Sequence, residues 1–426
     1  MAKQWYKLDN AAKLFPSIFS NADRNGFRIA ALFKEEIQEE PLRDALVETL
    51  KRYPSYCVKL KDGFFWYYFD HNFQKPKIQK ELPVIFSNIE LYENNNYLFS
   101  VNYHKRRISL DVFHSLGDGT GALEFFKTLS YYYLLNLGYE IENEEGLIKT
   151  NDIDQTFSEV DDSFNSHYDK KVKAYDKEDK ALGIPGRQYP YNWIGVIHTL
   201  IDVNSIKEVA HKYECTLTEY VGACILYSIY DSFYRYKKID KSKKMKLFIP
   251  VNARKFFDSK TIRNFALFVR TNMDFNPTDL TFDDMVNEMK RTFKEELTKE
   301  KLESRIVQNV KFEKMFFIRA LPLFLKNIAM KIGYKIIGSG ANTLSFSNLG
   351  VVKIPQSMEQ YIERFEFSIG LSKNTPANFG GVTYGNTLCL THTTLLMDRK
   401  FISNIYKKFL EDGVEFYVET NDLEVY

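Results

Sequence analysis

Some stretches of the chain alternate apolar and polar residues, as strands do, and others repeat apolar residues every three to four positions, as amphipathic helices do. Both patterns occur from one end of the chain to the other. Residues 26–37 (GFRIAALFKEEI) alternate like a strand, and Pro41 then opens a predicted helix, LRDALVETLKRY. Two more predicted strands, 97–104 and 107–113, are joined by a short basic turn. Because strands and helices mix throughout, the pattern predicts an α/β or α+β fold with two layers.

The strand at 107–113 runs through the turn HSLGDG into a second predicted helix, GALEFFKTLSYYYLLNLG. Asp118 or Thr120 is placed to cap the start of this helix, and Gly138 to end it. The local unit is therefore a strand, a tight turn and a helix.

The stretch from about 140 to 190 is acidic and then mixed in charge, with only scattered apolar residues, which is typical of a linker. It divides the chain into predicted halves at 1–185 and 186–426. The second half repeats the mixture of strands and helices. It includes an amphipathic helical stretch at about 281–313 and ends in a hairpin followed by a helix.

A weak internal repeat connects the two halves. When Asp398 is placed on Asp118, LCLTHTTLLMDRKFISNIYKKF aligns with ISLDVFHSLGDGTGALEFFKTL. The second copy has Thr394 and Arg399 at the positions of His114 and Gly119. The apolar pattern alone would produce much of this match, so coincidence is the alternative to a duplicated unit in which only the first copy has the histidine.

Composition narrows the class of protein. The 426 residues carry 58 basic and 56 acidic side chains, a balance without the basic excess that binding to nucleic acid requires. The four cysteines are widely spaced, and no Cys or His cluster has metal-ligand spacing, so we expect neither a metal site nor a disulfide scaffold. The sequence has no signal peptide and no apolar run long enough to span a membrane, which predicts a cytoplasmic protein. The 15% of aromatic residues suit either a core or a lined tunnel.

His114 is the strongest candidate for chemistry. It ends a strand on a turn with two glycines, so one imidazole nitrogen can face a cleft while a backbone carbonyl fixes the other. Its ordinary pKa of about 6.5 suits proton abstraction near neutral pH. By pattern alone, a turn histidine with satisfied hydrogen bonds is the competing interpretation.

The motif HSLGDG, followed by FIPVNAR, Asn264 and FSNLG, resembles the HxxxDG acyltransferase superfamily. This group includes chloramphenicol acetyltransferase, condensation domains, wax ester synthases and alcohol O-acetyltransferases with their polyketide-associated relatives. The resemblance covers nearly the whole chain and is to the two-unit members. It implies a chloramphenicol-acetyltransferase-like fold duplicated into two facing halves. Many members have two adjacent histidines, but here Phe113 replaces the first. Alcohol acetyltransferase-like members also lack this first histidine, so the departure points to that branch.

The resemblance also implies roles for particular residues. His114 matches the catalytic histidine, and Asp118 is structural, pairing with an arginine of the second half for which Arg254 is the candidate. An ordinary surface arginine is the alternative for Arg254. Gly119 lets the backbone approach closely and opens a helix whose N-terminus favours negative charge.

Oxyanion donors are expected in the FSNLG stretch. Ser347 or Asn348 can donate to the oxyanion, and a polar turn at a strand end is the alternative for both. The NFGG sequence at 378–381 lacks the Asp and Trp of the DFGWG motif of plant acyltransferases, and a glycine-rich approach to a hairpin explains it better.

The implied reaction transfers an acyl group, acetyl by resemblance, from the co-substrate acyl-CoA to the hydroxyl of a small alcohol. It takes place in a tunnel between the halves and needs no permanent cofactor. We expect a monomer. One rival is a condensation-type enzyme with a carrier-bound acyl donor, which Phe113 and the absence of a carrier domain disfavour. The other rival is a non-catalytic binding protein of the same fold.

Two basic segments have alternative interpretations. The lysine-rich stretch 234–246 can meet the phosphates of CoA, but a solvated loop is the simpler interpretation. Segment 315–338 contains Arg319 and three lysines and no acid, as a helix on a membrane surface would. We favour its burial over the substrate channel.

Overall fold

A computed structural model describes most of the chain. It covers residues 5–18, 26–82, 85, 94–175, 179–190, 193–236, 242–274, 280–333, 340–372 and 374–421.

The strands form three sheets. Their bounds are β1 (Trp5–Lys7), β2 (Gly26–Phe33), β3 (Val58–Asp62), β4 (Tyr67–His71), β5 (Ile78–Lys80), β6 (Phe99–His104), β7 (Arg107–Phe113), β8 (Gly195–Asp202), β9 (Leu247–Asn252), β10 (Ala266–Arg270), β11 (Leu344–Val351), β12 (Ile362–Ile369), β13 (Ala377–Tyr384), β14 (Thr387–Thr394) and β15 (Phe416–Thr420).

The α-helices cover the sheets and carry several connections. They are α1 (Phe15–Ile18), α2 (Glu39–Arg52), α3 (Gly119–Asn136), α4 (Ser163–Ser166), α5 (Val203–Lys212), α6 (Leu217–Ile229), α7 (Phe282–Glu296), α8 (Lys299–Lys314), α9 (Phe316–Ala320), α10 (Leu323–Gly333), α11 (Gln356–Glu359) and α12 (Lys400–Asp412). A π-helical turn, Tyr230–Tyr234, extends α6.

The first large sheet has the strand order β12-β2-β7-β6-β5, and its central strands β2 and β7 are almost completely buried. Because polar residues of these strands are buried too, they need partners, and Arg28 of β2 donates to both carboxylate oxygens of Asp111 of β7 at 2.6 and 2.7 Å. Neighbouring strands are antiparallel apart from β5 and β6. Helices α2 and α3 pack together over this sheet, and the small sheet β1-β4-β3 lies beside it.

The second large sheet has the strand order β10-β9-β11-β13-β14-β8-β15, and α5, α6 and α12 belong to its core. The hairpin β6-β7 followed by α3 corresponds to the hairpin β13-β14 followed by α12. Strand β2 with α2 likewise corresponds to β8 with α5. In each sheet the motif strand, β7 or β14, lies between its hairpin partner and the strand of that sheet that comes first in the sequence, β2 or β8. The predicted mixed α/β fold of two similar facing halves is therefore confirmed.

One strand crosses the predicted boundary at 185. Strand β12 belongs to the second half in sequence but pairs antiparallel with β2 at the edge of the first sheet. Gly380 of β13 meets β12 closely, since a Cβ on Gly380 would lie 2.1 Å from the carbonyl oxygen of Phe367. The contact between the two sheets runs through this strand.

Three local expectations differ from the structure. The predicted helix at 281–313 is two helices, because Thr298 caps a new one, α8, after α7 ends. The predicted solvated linker contains the buried residues Ile148, Glu159 and Phe164. Segment 315–338, expected to be buried, instead exposes Phe316 and Phe317 of α9, and its residues 334–338 lie outside the described chain.

Candidate active site

Asp118 organises the turn that carries His114. Its carboxylate caps α3 by accepting a hydrogen bond from the Gly121 N–H (3.0 Å) and also accepts one from the Phe265 N–H (2.8 Å). Arg254 donates to both of its oxygens, from Nη1 at 2.9 Å and from Nη2 at 3.2 Å. The side chains of Asp118 and Arg254 are 4% and 12% exposed, so the pair is largely shielded from water.

Arg254 also holds the loop that faces the turn. Its Nε donates to the carbonyl of Thr261 (2.7 Å) and its Nη2 to the carbonyl of Arg263 (2.6 Å). The loop backbone lies so near the turn that a Cβ on Gly121 would be 1.8 Å from the Ile262 carbonyl oxygen. A glycine is therefore required at this position, and the Asp118–Arg254 pair fixes both segments together.

Asn264, the next residue in that loop, fixes the imidazole of His114. The Asn264 Nδ2 donates to the carbonyl of His114 (3.0 Å) and to Asp9 Oδ2 (3.1 Å). These two bonds orient the amide so that its Oδ1 faces His114 Nδ1 at 2.9 Å. Since Oδ1 can only accept, Nδ1 carries the proton and Nε2 has the free lone pair.

The N-terminal segment forms one wall around the histidine. The Phe15 ring stacks on the imidazole with 4.6 Å between centroids, and the Phe27 ring meets it edge-on at 5.2 Å. This partial burial lowers the pKa of His114 from 6.5, although the negative charge of Asp118 opposes the shift. His114 is therefore neutral near pH 7.

Asp9 is buried behind Asn264. Burial raises the pKa of its carboxyl to about 6, and the negative charge of Asp162 adds to the effect. Its Oδ1 accepts a hydrogen bond from the Ala12 N–H (2.8 Å), which connects the N-terminal segment to the Asn264 amide.

The second half meets the turn at Gly119. A Cβ there would lie 2.7 Å from Leu349 Cδ2, so the glycine admits β11 to the start of α3. Ser347 pairs with Gly380, which faces β12, and paired residues of neighbouring strands point to the same face. Ser347 therefore faces the first large sheet, to which β12 belongs. Asn348 points the opposite way, where its Nδ2 donates to Thr218 Oγ1 of α6 (3.3 Å).

Of the predicted residues, the structure thus brings His114, Asp118, Gly119 and Arg254 together and turns Ser347 but not Asn348 toward the first large sheet. The sequence analysis missed Asp9 and Phe15 and gave Asn264 no role. The only signal for Asn264 was its position shortly after PVNAR, and nothing in the spacing pointed to Asp9 or Phe15.

Two cavities away from His114 are lined in part by basic side chains. One, of about 530 Å³, is lined by Lys173, Lys246, Arg270, Arg291 and Lys301 among others. Lys246 is the last residue of the lysine-rich stretch 234–246, whose residues 237–241 lie outside the described chain. The other, of about 750 Å³, opens beside β1, β4 and α9. His114 lines neither cavity, so a continuous tunnel past it stays a prediction.

Across the described ranges, no group of three or more Cys, His, Asp and Glu side chains is arranged to hold a metal ion. No helix in the described part of the chain has the length and apolar character needed to cross a membrane.

Known proteins resemble this chain in part of its sequence and in its fold. Residues 195–372 match the family model described as alcohol acetyltransferase. No match was found among curated proteins.

Among solved structures, TRI101 of F. graminearum, complexed with coenzyme A and deoxynivalenol, is similar with a TM-score of 0.64 at 11% identity, covering 98% of this chain and 100% of that one. Polyketide synthase associated protein 5 of Mycobacterium tuberculosis has a TM-score of 0.61 at 12% identity, covering 94% and 96% of the two chains. TRI3 trichothecene 15-O-acetyltransferase of Fusarium sporotrichioides has a TM-score of 0.60 at 11% identity, covering 96% and 95%. At these identities the likeness establishes a shared fold. The resemblance to two-unit acyltransferases is thus confirmed: residues 195–372 match the alcohol acetyltransferase family in sequence, and the whole chain has the fold of these structures.

Proposed function

We propose that the chain is an acyltransferase that moves an acyl group from a CoA thioester to an acceptor hydroxyl, with His114 as the general base. The observation that carries the proposal is the orientation of the imidazole. Asn264 Oδ1 accepts the proton of Nδ1 at 2.9 Å, which leaves Nε2 as the basic nitrogen. The pKa of His114, lowered by burial, keeps this nitrogen unprotonated at neutral pH.

The proposed reaction has two steps, addition of the acceptor oxygen and loss of the CoA sulfur. Nε2 takes the hydroxyl proton as the acceptor oxygen attacks the thioester carbonyl carbon, giving a tetrahedral oxyanion. Collapse of this intermediate breaks the carbon–sulfur bond, and the departing CoA sulfur takes the proton back from Nε2. The products are the ester and free CoA, and His114 ends neutral. No covalent acyl-enzyme forms, so ping-pong kinetics would count against the scheme.

The oxyanion needs preorganised donors, each worth roughly 3 kcal/mol of transition-state stabilisation. Of the two predicted side chains, Ser347 is retained in the proposal because it faces the first large sheet, whereas Asn348 points toward Thr218. Backbone N–H groups at the start of α3, where the helix dipole favours negative charge, are the second source. Gly119 lets Leu349 of β11 approach this helix start closely.

Asp118 and Arg254 are assigned structural roles in this proposal. Their charges neutralise each other, and the Asp118 carboxylate also accepts hydrogen bonds from two backbone N–H groups. The pair instead holds Asn264 against His114. Both residues therefore act on the reaction through the position of the imidazole.

The co-substrate is assigned from the structural neighbours. TRI101, which shares the fold, was solved with coenzyme A and deoxynivalenol, and TRI3 is described as a 15-O-acetyltransferase. Acyl-CoA with a small-molecule alcohol is accordingly the pair of substrates that we propose, with acetyl as the first acyl group to test. A monomeric state and a cytoplasmic location stay predictions.

The test is release of thiol from a panel of acyl-CoAs, with and without mixed alcohols. We expect release that depends on the alcohol in the wild type and its loss in a folded His114→Ala variant. His211→Ala is the matched control, because His211 is an exposed residue of α5. If the wild type released thiol from none of the acyl-CoAs faster than His114→Ala does, the proposed donor would be wrong. Carrier-bound donors, and after them a binding protein without catalysis, would then be the alternatives to test.

A further inference from the structure

Helices α9 and α10 and the turn between β3 and β4 expose a cluster of large apolar side chains. We call this cluster the apolar face and define it as Phe64, Phe316, Phe317, Phe324, Ile328 and Ile332. Their exposed fractions run from 53% for Ile332 to 80% for Phe317. Soluble proteins rarely expose a continuous patch of this kind unless it meets a partner or a membrane.

The elements that carry the face are held together by hydrogen bonds. The Leu323 N–H donates to the Phe64 carbonyl (2.8 Å), and Lys326 Nζ donates to the carbonyls of Phe65 (2.8 Å) and Arg319 (3.3 Å). These bonds join α9, α10 and the β3–β4 turn. The aromatic residues at the turn and on the helices therefore belong to one surface.

Helix α10 is oriented with its polar side inward, which is the reverse of an ordinary surface helix. Lys326 is 1% exposed and its Nζ lies 3.9 Å from the centroid of the Trp66 ring. Asn327 donates to the Tyr67 hydroxyl (2.7 Å) and accepts from the Ser17 hydroxyl (2.7 Å). Rotating the helix to bury Phe324 and Ile328 would break these bonds, so the outward position of its apolar side is built in.

The charges around the face are basic. Residues 315–333 contain Arg319, Lys326 and Lys331 and no acid, and Arg319, Lys331 and the neighbouring Lys314 are exposed. A basic amphipathic helix with exposed Phe and Ile residues suits the boundary between lipid headgroups and acyl chains. Each exposed Lys or Arg adds attraction to an anionic surface.

The cavity of about 750 Å³ beside the face extends this basic character. Lys7, Lys13, Lys314 and Arg319 line it, together with Trp66 and two acids, Asp70 and Glu313. Lys13 pairs with Glu313 at 2.6 Å, so the lining retains an excess of positive charge. Anionic headgroups complement a cavity of this charge, and tryptophan is enriched where proteins meet the membrane interface.

We propose that the apolar face docks on an anionic lipid bilayer, with α10 lying along the membrane surface. Its Phe and Ile side chains enter the headgroup region, and Lys314, Arg319 and Lys331 meet lipid phosphates. The docked surface lies one element from the candidate active site, because α10 contacts α1 through Ser17 and Asn327, and Phe15 of α1 stacks on His114. The proposal does not depend on the chemistry at His114.

The test is flotation of the full chain with vesicles of phosphatidylcholine alone or mixed with phosphatidylglycerol. We expect co-migration with the anionic vesicles at low salt, and at least a tenfold weaker association in Phe316→Ser/Phe317→Ser/Phe324→Ser. The matched control is Phe157→Ser/Leu410→Ser, since these residues are 82% and 68% exposed outside the face. The control should bind as the wild type does, and circular dichroism checks that all variants are folded.

Three results would overturn the proposal. The first is no co-migration of the wild type with anionic vesicles, and the second is equal binding to both kinds of vesicle. The third is concentration-dependent dimerisation, measured by sedimentation velocity, that the triple substitution abolishes while vesicles bind nothing. That outcome would assign the face to a second copy of the chain.

Discussion

At the scale of single residues, the proposed activity depends on which nitrogen of His114 is basic and on the pH at which that nitrogen is unprotonated. Burial holds the pKa of His114 below 6.5. A general base works in its neutral form, so activity is present above this pKa and is lost as the pH falls through it.

We therefore expect the acidic limb of kcat/KM to have its midpoint below pH 6.5. Asp9, with a pKa of about 6, titrates in the same range, so the profile is compared with that of Asp9→Asn. The limb should persist in that variant if it belongs to His114. A midpoint above 6.5 in the wild type would contradict the assigned environment of the imidazole.

Asn264 is the residue whose substitution separates positioning from chemistry. In Asn264→Ala we expect kcat to fall roughly a hundredfold, because the imidazole loses the contact that sets its tautomer and direction. The hydrogen bond that His114 Nδ1 donates to Asn264 Oδ1 raises the pKa of the ring, so its loss should also move the acidic limb to lower pH.

Asn143→Ala is the matched control for Asn264→Ala. The Asn143 amide likewise makes two hydrogen bonds, both to the backbone of Ile148. Its substitution should leave the pH profile unchanged. A profile that does not move in Asn264→Ala would mean that the residue supports the fold and not the imidazole.

At the scale of elements, the Asp118–Arg254 pair clamps the start of α3 to the loop after β9. Removing one partner of a shielded ion pair leaves the other charge buried, which costs about 3–5 kcal/mol. We expect Arg254→Ala to lower the free energy of unfolding by an amount near this range and to reduce activity as well, because Asn264 is in the same loop.

Arg43→Ala is the control for this effect in urea unfolding. Arg43 pairs with Glu39 on the surface of α2, where its side chain is 51% exposed, so its loss should cost less than about 0.5 kcal/mol. Equal effects of the two substitutions would contradict the clamp.

Local elements were predictable where their causes are local. Asp118 caps α3 because an acceptor one residue before a helix meets the free N–H groups of its first turn, and the sequence contains that signal. The outward apolar side of α10 was not predictable. A helical pattern shows that two sides differ, but Asn327 and Lys326 face inward only because Tyr67 and Phe65, more than 250 residues away, supply their partners.

At the scale of the whole molecule, β12 connects the two sheets. Glu366 of this strand is nearly buried and faces the guanidinium groups of Arg364 at 2.9 Å and Arg107 at 3.6 Å and the imidazole of His198 at 3.5 Å. A cavity of about 440 Å³ between the sheets lies beside this group. The sequence analysis predicted no strand at Ile362–Ile369, and the place of β12 in the first sheet depends on contacts with β2 that no local pattern contains.

We expect the charge of Glu366 to stabilise the connection that β12 makes between the two large sheets. Burial alone would raise its pKa, but His198, Arg107 and Arg364 outweigh it and hold the pKa at about 2. A depressed acid pKa stabilises the fold above the unfolded value of 4.5 and loses this contribution as the pH falls through 2. We expect Glu366→Gln to cost about 3 kcal/mol at neutral pH.

The measurement is urea unfolding of both proteins at several pH values. The difference between Glu366→Gln and the wild type should shrink as the pH falls below 4.5. Glu363→Gln is the control, since Glu363 is 41% exposed in its pair with Arg106. A difference that is independent of pH would show that lost packing, and not charge, explains the effect.

The central claim is that the acceptor oxygen attacks the thioester with His114 as base. Its most direct test supplies acetyl-CoA with an alcohol labelled with heavy oxygen and follows the products by mass spectrometry. We predict an ester that retains the label in the wild type and no ester in His114→Ala. Unlabelled acid as the sole acyl product would instead indicate thioester hydrolysis, and equal ester formation by the variant would contradict the role of His114.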